Sequence, residues 1–84
     1  MTMKKLGHRT IRIETKKGET GLVYGTSPDL KGLLIAARDR TQVLRKAPKI
    51  IAAMYHATGV ETVEILHVKH SIFVARPALT FNRH

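Results

Sequence analysis

The acidic residues are the groups of this chain that could hold catalytic metal ions, and there are few of them. A two-metal nuclease needs three or four converging carboxylates, because both the attacking and the leaving oxygen must be stabilised. The chain has six acidic residues, and Asp39 is placed as a helix cap while Asp29 is placed in a turn. Glu19 falls in a polar loop. Too few carboxylates remain, so the sequence predicts no nuclease site.

The remaining residues that could do chemistry lack their usual partners. His67 and His70 are three apart on a strand pattern, where they point to opposite faces, so they could share a metal ion only if the chain turns at Lys69. Otherwise they are ordinary surface or half-buried histidines. Ser27 has no nearby base, the glycines do not form a phosphate-binding loop, and cysteine is absent. We therefore expect a protein that is not an enzyme and that uses no cofactor or metal.

The elements that would position these residues begin with three strand patterns. His8 to Thr15 alternates polar and apolar residues and predicts a strand, and a polar turn at residues 16–20 leads to a second strand over Leu22-Val23-Tyr24. Leu33 to Ala37 is apolar throughout, which is typical of a central strand covered on both faces.

A long amphipathic helix follows. Asp39 is a natural N-cap, Gln42 completes a capping-box-like pattern, and Gly59 is the residue expected just after the helix ends. Pro48 lies inside this helix and predicts either a kink or a division into two helices. The predicted apolar face consists of Val43, Ala47, Ile50, Ile51, Met54 and Ala57.

The last pattern, Glu61 to Arg76, predicts one bulged strand or a hairpin that turns at Lys69-His70-Ser71. The order β-β-β-α-β predicts an α+β fold, in which an antiparallel sheet carries one long helix, kinked or straight, on one face. Residues 1–84 are predicted to form a single domain, with 1–7 and 78–84 as flexible tails.

The run from Gly21 to Gln42, which contains Ser27-Pro28-Asp29-Leu30-Lys31-Gly32, resembles the HicB-like antitoxin domain and especially its short single-domain relatives. The resemblance covers residues 9–76, although Lys31 stands where the family has a second proline. It implies a partial RNase H-like fold without nuclease activity. It further implies a member of a toxin–antitoxin system that masks a protein toxin and self-associates, most simply as a dimer.

Charge suggests a different class of partner. The formal net charge is +9, with 15 Lys and Arg against six Asp and Glu, and no apolar run approaches the roughly 20 residues that span a bilayer. We expect a cytoplasmic protein with no membrane partner. A charge of this size is compatible with binding either to nucleic acid or to an acidic protein surface.

Two functions therefore stay open. The first is a protein-interaction module that neutralises a toxin or effector through a sheet edge or the helix face, with partner-binding candidates Tyr24, Thr26, Asp29 and Leu30. These four could equally be an ordinary strand end and turn. The second is nucleic-acid binding through the phosphate backbone with weak sequence specificity, and its candidates are Arg9, Arg12, Lys16, Lys17, Arg40, Arg45, Lys46 and Lys49.

Overall fold

The structure, a computed structural model, describes residues 8–60 and 63–77, so the predicted tails at 1–7 and 78–84 lie outside the described residues. The α+β class with one helix and antiparallel strands is confirmed. The elements, in chain order, are β1 (Arg9–Arg12), β2 (Glu14–Lys17), β3 (Val23–Thr26), β4 (Ile35–Ala37), α1 (Arg40–Ala57), β5 (Val63–Lys69) and β6 (Ile72–Pro77).

The strands form two antiparallel three-stranded sheets, in the orders β1-β6-β5 and β2-β3-β4. The predicted first strand therefore divides at Ile13, whose backbone N–H donates to the carbonyl oxygen of Ser71 over 2.8 Å. Ile13 thus links β1, which pairs with β6, to β2, which pairs with β3. The predicted last strand is a hairpin that turns at His70, which confirms the second of the two alternatives that the sequence left open.

The prediction that Leu33 to Ala37 forms a central strand covered on both faces is wrong. β4 is an edge strand, and Leu34, just before it, is 61% exposed while Ile35 is buried. Within residues 8–60 and 63–77, β4 has one neighbouring strand, β3, and one covering helix, α1, so one face and one edge of β4 stay open. The apolar run gave no sign of this, because Leu34 and Ala36 occupy the exposed positions without being polar.

α1 begins as predicted, since the carboxylate of Asp39 accepts the N–H of Gln42 over 2.9 Å. One helix continues through Pro48, so the division into two helices is wrong. Its buried residues recur every fourth position, which suits a stripe along one side: Val43, Ala47, Ile51 and Tyr55. The predicted apolar face wrongly included Ala57, which is exposed. It also left out Tyr55, which is buried. Gly59 follows the helix with φ +98°, as expected of a residue after a C-cap.

The core lies between α1 and the two sheets. Its largest fully buried side chains come from both sheets and from the helix: Phe73, Ile11, Ile35, Ile51 and Val43. Gly25 allows the close approach of β3 to α1, because a Cβ atom at this position would lie 2.5 Å from Cγ1 of Val43. The helix thus bridges sheet elements that are distant in sequence, and it fixes which sheet face stays open.

Candidate interaction surfaces

Asp29 in the turn after β3 attaches that turn to β1. Its carboxylate accepts the backbone N–H of Arg12 over 3.0 Å and two guanidinium N–H groups of Arg12 over 2.9 and 3.2 Å. The hydroxyl of Ser27 accepts the Asp29 N–H, and the Asp29 carbonyl accepts a bond from Arg9. The side-chain hydrogen bonds of Arg12 lower the pKa of Asp29 below its ordinary value, and the same pairing raises the pKa of Arg12.

This attachment also closes part of a sheet edge. Successive N–H groups of a strand point to opposite edges, and that of Ile13 points to the β6 side, so the N–H of Arg12 points away from β6. No strand pairs with β1 on that side within residues 8–60 and 63–77. The Asp29 carboxylate therefore accepts the edge N–H that a neighbouring strand would otherwise bind.

The predicted partner-binding residues divide into two groups. The face of the β2-β3-β4 sheet opposite α1, which we call the outer face, is formed by Glu14, Lys16, Tyr24, Thr26 and Ala36. Tyr24 and Thr26 are together on this face, half-buried and exposed respectively. Leu30, in contrast, packs against the hydrophobic core, and the carboxylate of Asp29 is bound to Arg12. The four residues do not form one surface.

The eight basic candidates are all exposed, but they lie on different sides of the molecule. Arg9 and Arg12 bond to Asp29, Lys16 lies on the outer face, and Lys17 ends β2. The remaining four lie on α1, on the other side of the β2-β3-β4 sheet from the outer face: Arg40, Arg45, Lys46 and Lys49. The structure therefore does not bring the eight into a single basic patch.

The edge of β4 turned away from β3, which we call the open edge, carries a side chain and no strand in the part of the chain that the structure describes. Nζ of Lys46 donates to the carbonyl oxygen of Ala36 over 3.3 Å. Beside this bond, Leu34 exposes 61% of its surface. The sequence predicted contact through a sheet edge, but it did not assign that edge to β4 or point to Leu34. The sequence contained one indication of this edge, a lysine (Lys46) on the helix that follows the apolar run at 33–37. Lysine side chains commonly protect edge strands from pairing with other strands.

A cavity of about 310 Å³ opens between the start of α1 and the end of β5. It is lined by Thr41, Leu44, Arg45 and His67. The His67 ring stacks on Phe73 with 4.6 Å between the ring centroids, and its Nε2 hydrogen-bonds the carbonyl oxygen of His70. The hairpin turn at His70 thus brings the His67 ring to the backbone carbonyl of His70.

Among the described residues, no group of three or more His, Asp or Glu side chains could hold a metal ion. No helix in residues 8–60 and 63–77 is long and apolar enough to cross a membrane. No family model, curated protein or solved structure matches this chain. The geometry of the surfaces is therefore the basis for a functional proposal.

Proposed function

We propose that this protein is a non-catalytic protein-interaction module that binds a protein partner through the open edge of β4. The proposal is based on an edge carbonyl, that of Ala36, lying next to a largely exposed apolar side chain, that of Leu34. Strand edges of this kind recruit an extended segment of another chain, in which backbone bonds supply affinity and side-chain contacts supply specificity.

Binding requires Lys46 to leave the Ala36 carbonyl. A long lysine side chain at an exposed position is easily released, because its ammonium group regains water as it leaves the carbonyl. An extended segment could then donate its own N–H to Ala36. On the outer-face side, the segment's side chains would lie beside Leu34, which is exposed in alternation with buried Ile35, as Ala36 is. Tyr24 and Thr26 lie on the same face, one strand further from the edge.

The resemblance to HicB-like antitoxins supports a toxin or effector nuclease as the partner, in the cytoplasm, with the protein acting as a dimer. The turn that carries most of the resemblance has an internal role here, because Asp29 bonds to β1 and Leu30 packs on the core. In this proposal the turn holds β3 and β1 together, while β4 supplies the contact with the toxin.

Two exposed apolar residues offer a matched test. Leu34 beside the open edge is 61% exposed and Val68 in the β5–β6 hairpin is 58% exposed, so Lys should be tolerated equally at both positions. We would purify bacterial complexes with wild-type protein, Leu34→Lys and Val68→Lys, each with and without nuclease treatment. Mass spectrometry and ultraviolet absorbance would identify what remains bound.

We expect wild type and Val68→Lys to retain one stoichiometric small protein after nuclease treatment, and Leu34→Lys to lose it. Equal retention by Leu34→Lys and wild type would refute the β4 assignment. Capture of heterogeneous nucleic acid that disappears with nuclease, leaving no protein, would instead favour the nucleic-acid alternative. Circular dichroism of both variants would verify that the fold is intact.

A further inference from the structure

The cavity between α1 and β5 has a composition that suits an anion. Arg45 on the helix contributes a guanidinium and Thr41 one turn earlier contributes a hydroxyl, and none of the described carboxylates lines the cavity. Arg45 forms no ion pair with any residue in the described ranges. Its planar fork of N–H donors fits the oxygens of a phosphate or carboxylate better than a lysine would.

The other two lining residues suit an organic group next to the anion. Leu44 is half-buried and apolar, and His67 provides an aromatic ring from a different element. The ring is fixed in advance by its stacking on Phe73 and by the hydrogen bond to the carbonyl of His70. Because that carbonyl only accepts, Nε2 carries the hydrogen. A ring held in one orientation loses little entropy when a ligand binds.

The volume sets the size of the ligand. About 310 Å³ is at the lower end of the range for small-molecule sites, roughly 300–1,000 Å³. We propose that this cavity binds a phosphate ester, with Arg45 and Thr41 on the phosphate and with Leu44 and His67 against the attached organic group. This site is separate from the open edge of β4, and it does not depend on a protein partner binding there.

A phosphate ester of this kind could be a free nucleotide or one unit of a single-stranded nucleic acid. We would titrate ¹⁵N-labelled protein with inorganic phosphate, with AMP and with an oligouridine of about ten nucleotides, comparable to the site size of single-strand binders. Ionic strength would be held constant, because phosphate contacts are salt-dependent. The variants would be Arg45→Gln and Lys49→Gln. Both remove one exposed charge from α1, but only Arg45 lines the cavity.

We expect AMP or oligouridine to shift the amide signals of Thr41, Arg45 and His67. Arg45→Gln should weaken binding by about tenfold, as the loss of a charge-assisted hydrogen bond predicts, whereas Lys49→Gln should leave it within about twofold. Tighter binding of oligouridine than of AMP would identify a nucleic-acid strand as the source, and the reverse order a free nucleotide. Shifts that avoid the cavity, or equal losses in both variants, would overturn the proposal, as would the absence of any shift.

Discussion

Asp29 connects the turn after β3 to β1 through both its carboxylate and its carbonyl. The ion pair with Arg12 is solvent-accessible, with side-chain exposures of 57% for Arg12 and 26% for Asp29, and such pairs alone contribute little to stability. The bond from the Arg12 backbone N–H is different, because it occupies an edge position that would otherwise have only water as its partner. We infer that the main role of Asp29 is to hold the turn in register with β1.

The stability contributed by Asp29 should depend on pH. The hydrogen bonds from Arg12 lower the folded-state pKa of Asp29, so the contribution is fully present above the ordinary Asp pKa of about 4. It is lost as the pH falls through the lower folded-state pKa. Asp29→Asn should therefore reduce the free energy of unfolding at neutral pH, and the difference from wild type should shrink as the pH falls below about 4.

Urea denaturation of both proteins between neutral and acidic pH would measure this difference. Glu19→Gln is the matched control, since Glu19 is exposed and forms no ion pair with the described residues. This control should follow wild type at neutral pH. An Asp29→Asn variant as stable as wild type at neutral pH would contradict the role assigned to this carboxylate, and so would a difference that persists unchanged in acid.

At the scale of the elements, β3 and α1 are packed so closely that only glycine fits between them. A Cβ atom on Gly25 would lie 2.5 Å from Cγ1 of Val43 and 3.3 Å from Cγ2 of Ile13. Gly25→Ala should therefore lower the free energy of unfolding by about 1–3 kcal/mol, the usual cost of overpacking a core. Denaturant unfolding of the single variant would give this value.

A double-mutant cycle would show whether the contact with Val43 is the cause. Val43→Ala removes the Cγ1 atom, so Gly25→Ala should cost less in that background than in wild type. Strictly additive losses would show that the cost arises elsewhere, for example from the backbone conformation of β3.

The sequence predicted those elements whose signals are local. The cap at Asp39 and the spacing of buried residues identified α1, and alternation identified the strand around Ile11. It could not predict the pairing of Asp29 with Arg12, because residues 17 apart meet only in the tertiary structure. The apolar run before α1 was misread for a related reason, since a strand of Leu, Ile and Ala looks the same at an edge as in the centre. His67 was considered as a metal ligand or as an ordinary surface histidine and not as part of a cavity, because the cavity beside it depends on the packing of α1 against β5.

At the scale of the whole molecule, the positive charge is largely uncompensated. The chain carries 15 basic and six acidic side chains, yet only two ion pairs are formed among residues 8–60 and 63–77, Arg12 with Asp29 and Arg76 with Glu64. On α1, Arg45 and Lys49 are one turn apart, an arrangement in which like charges repel. The folded state thus concentrates positive charge that the unfolded chain would spread over a larger volume.

Salt should consequently stabilise the fold. Raising the concentration of NaCl from about 10 mM to about 150 mM shortens the screening length from about 30 Å to about 8 Å, so repulsion between separate basic groups falls. We expect the free energy of unfolding in urea to rise over this range, and to rise less in the double variant Arg45→Gln/Lys49→Gln, which has lost one repulsive pair.

A second series in sodium sulfate at equal ionic strength would separate screening from anion binding, because screening alone predicts the same curve for both salts. A free energy of unfolding that stays constant or falls with NaCl would contradict this prediction. It would show that repulsion among the unpaired basic side chains does not destabilise the folded state.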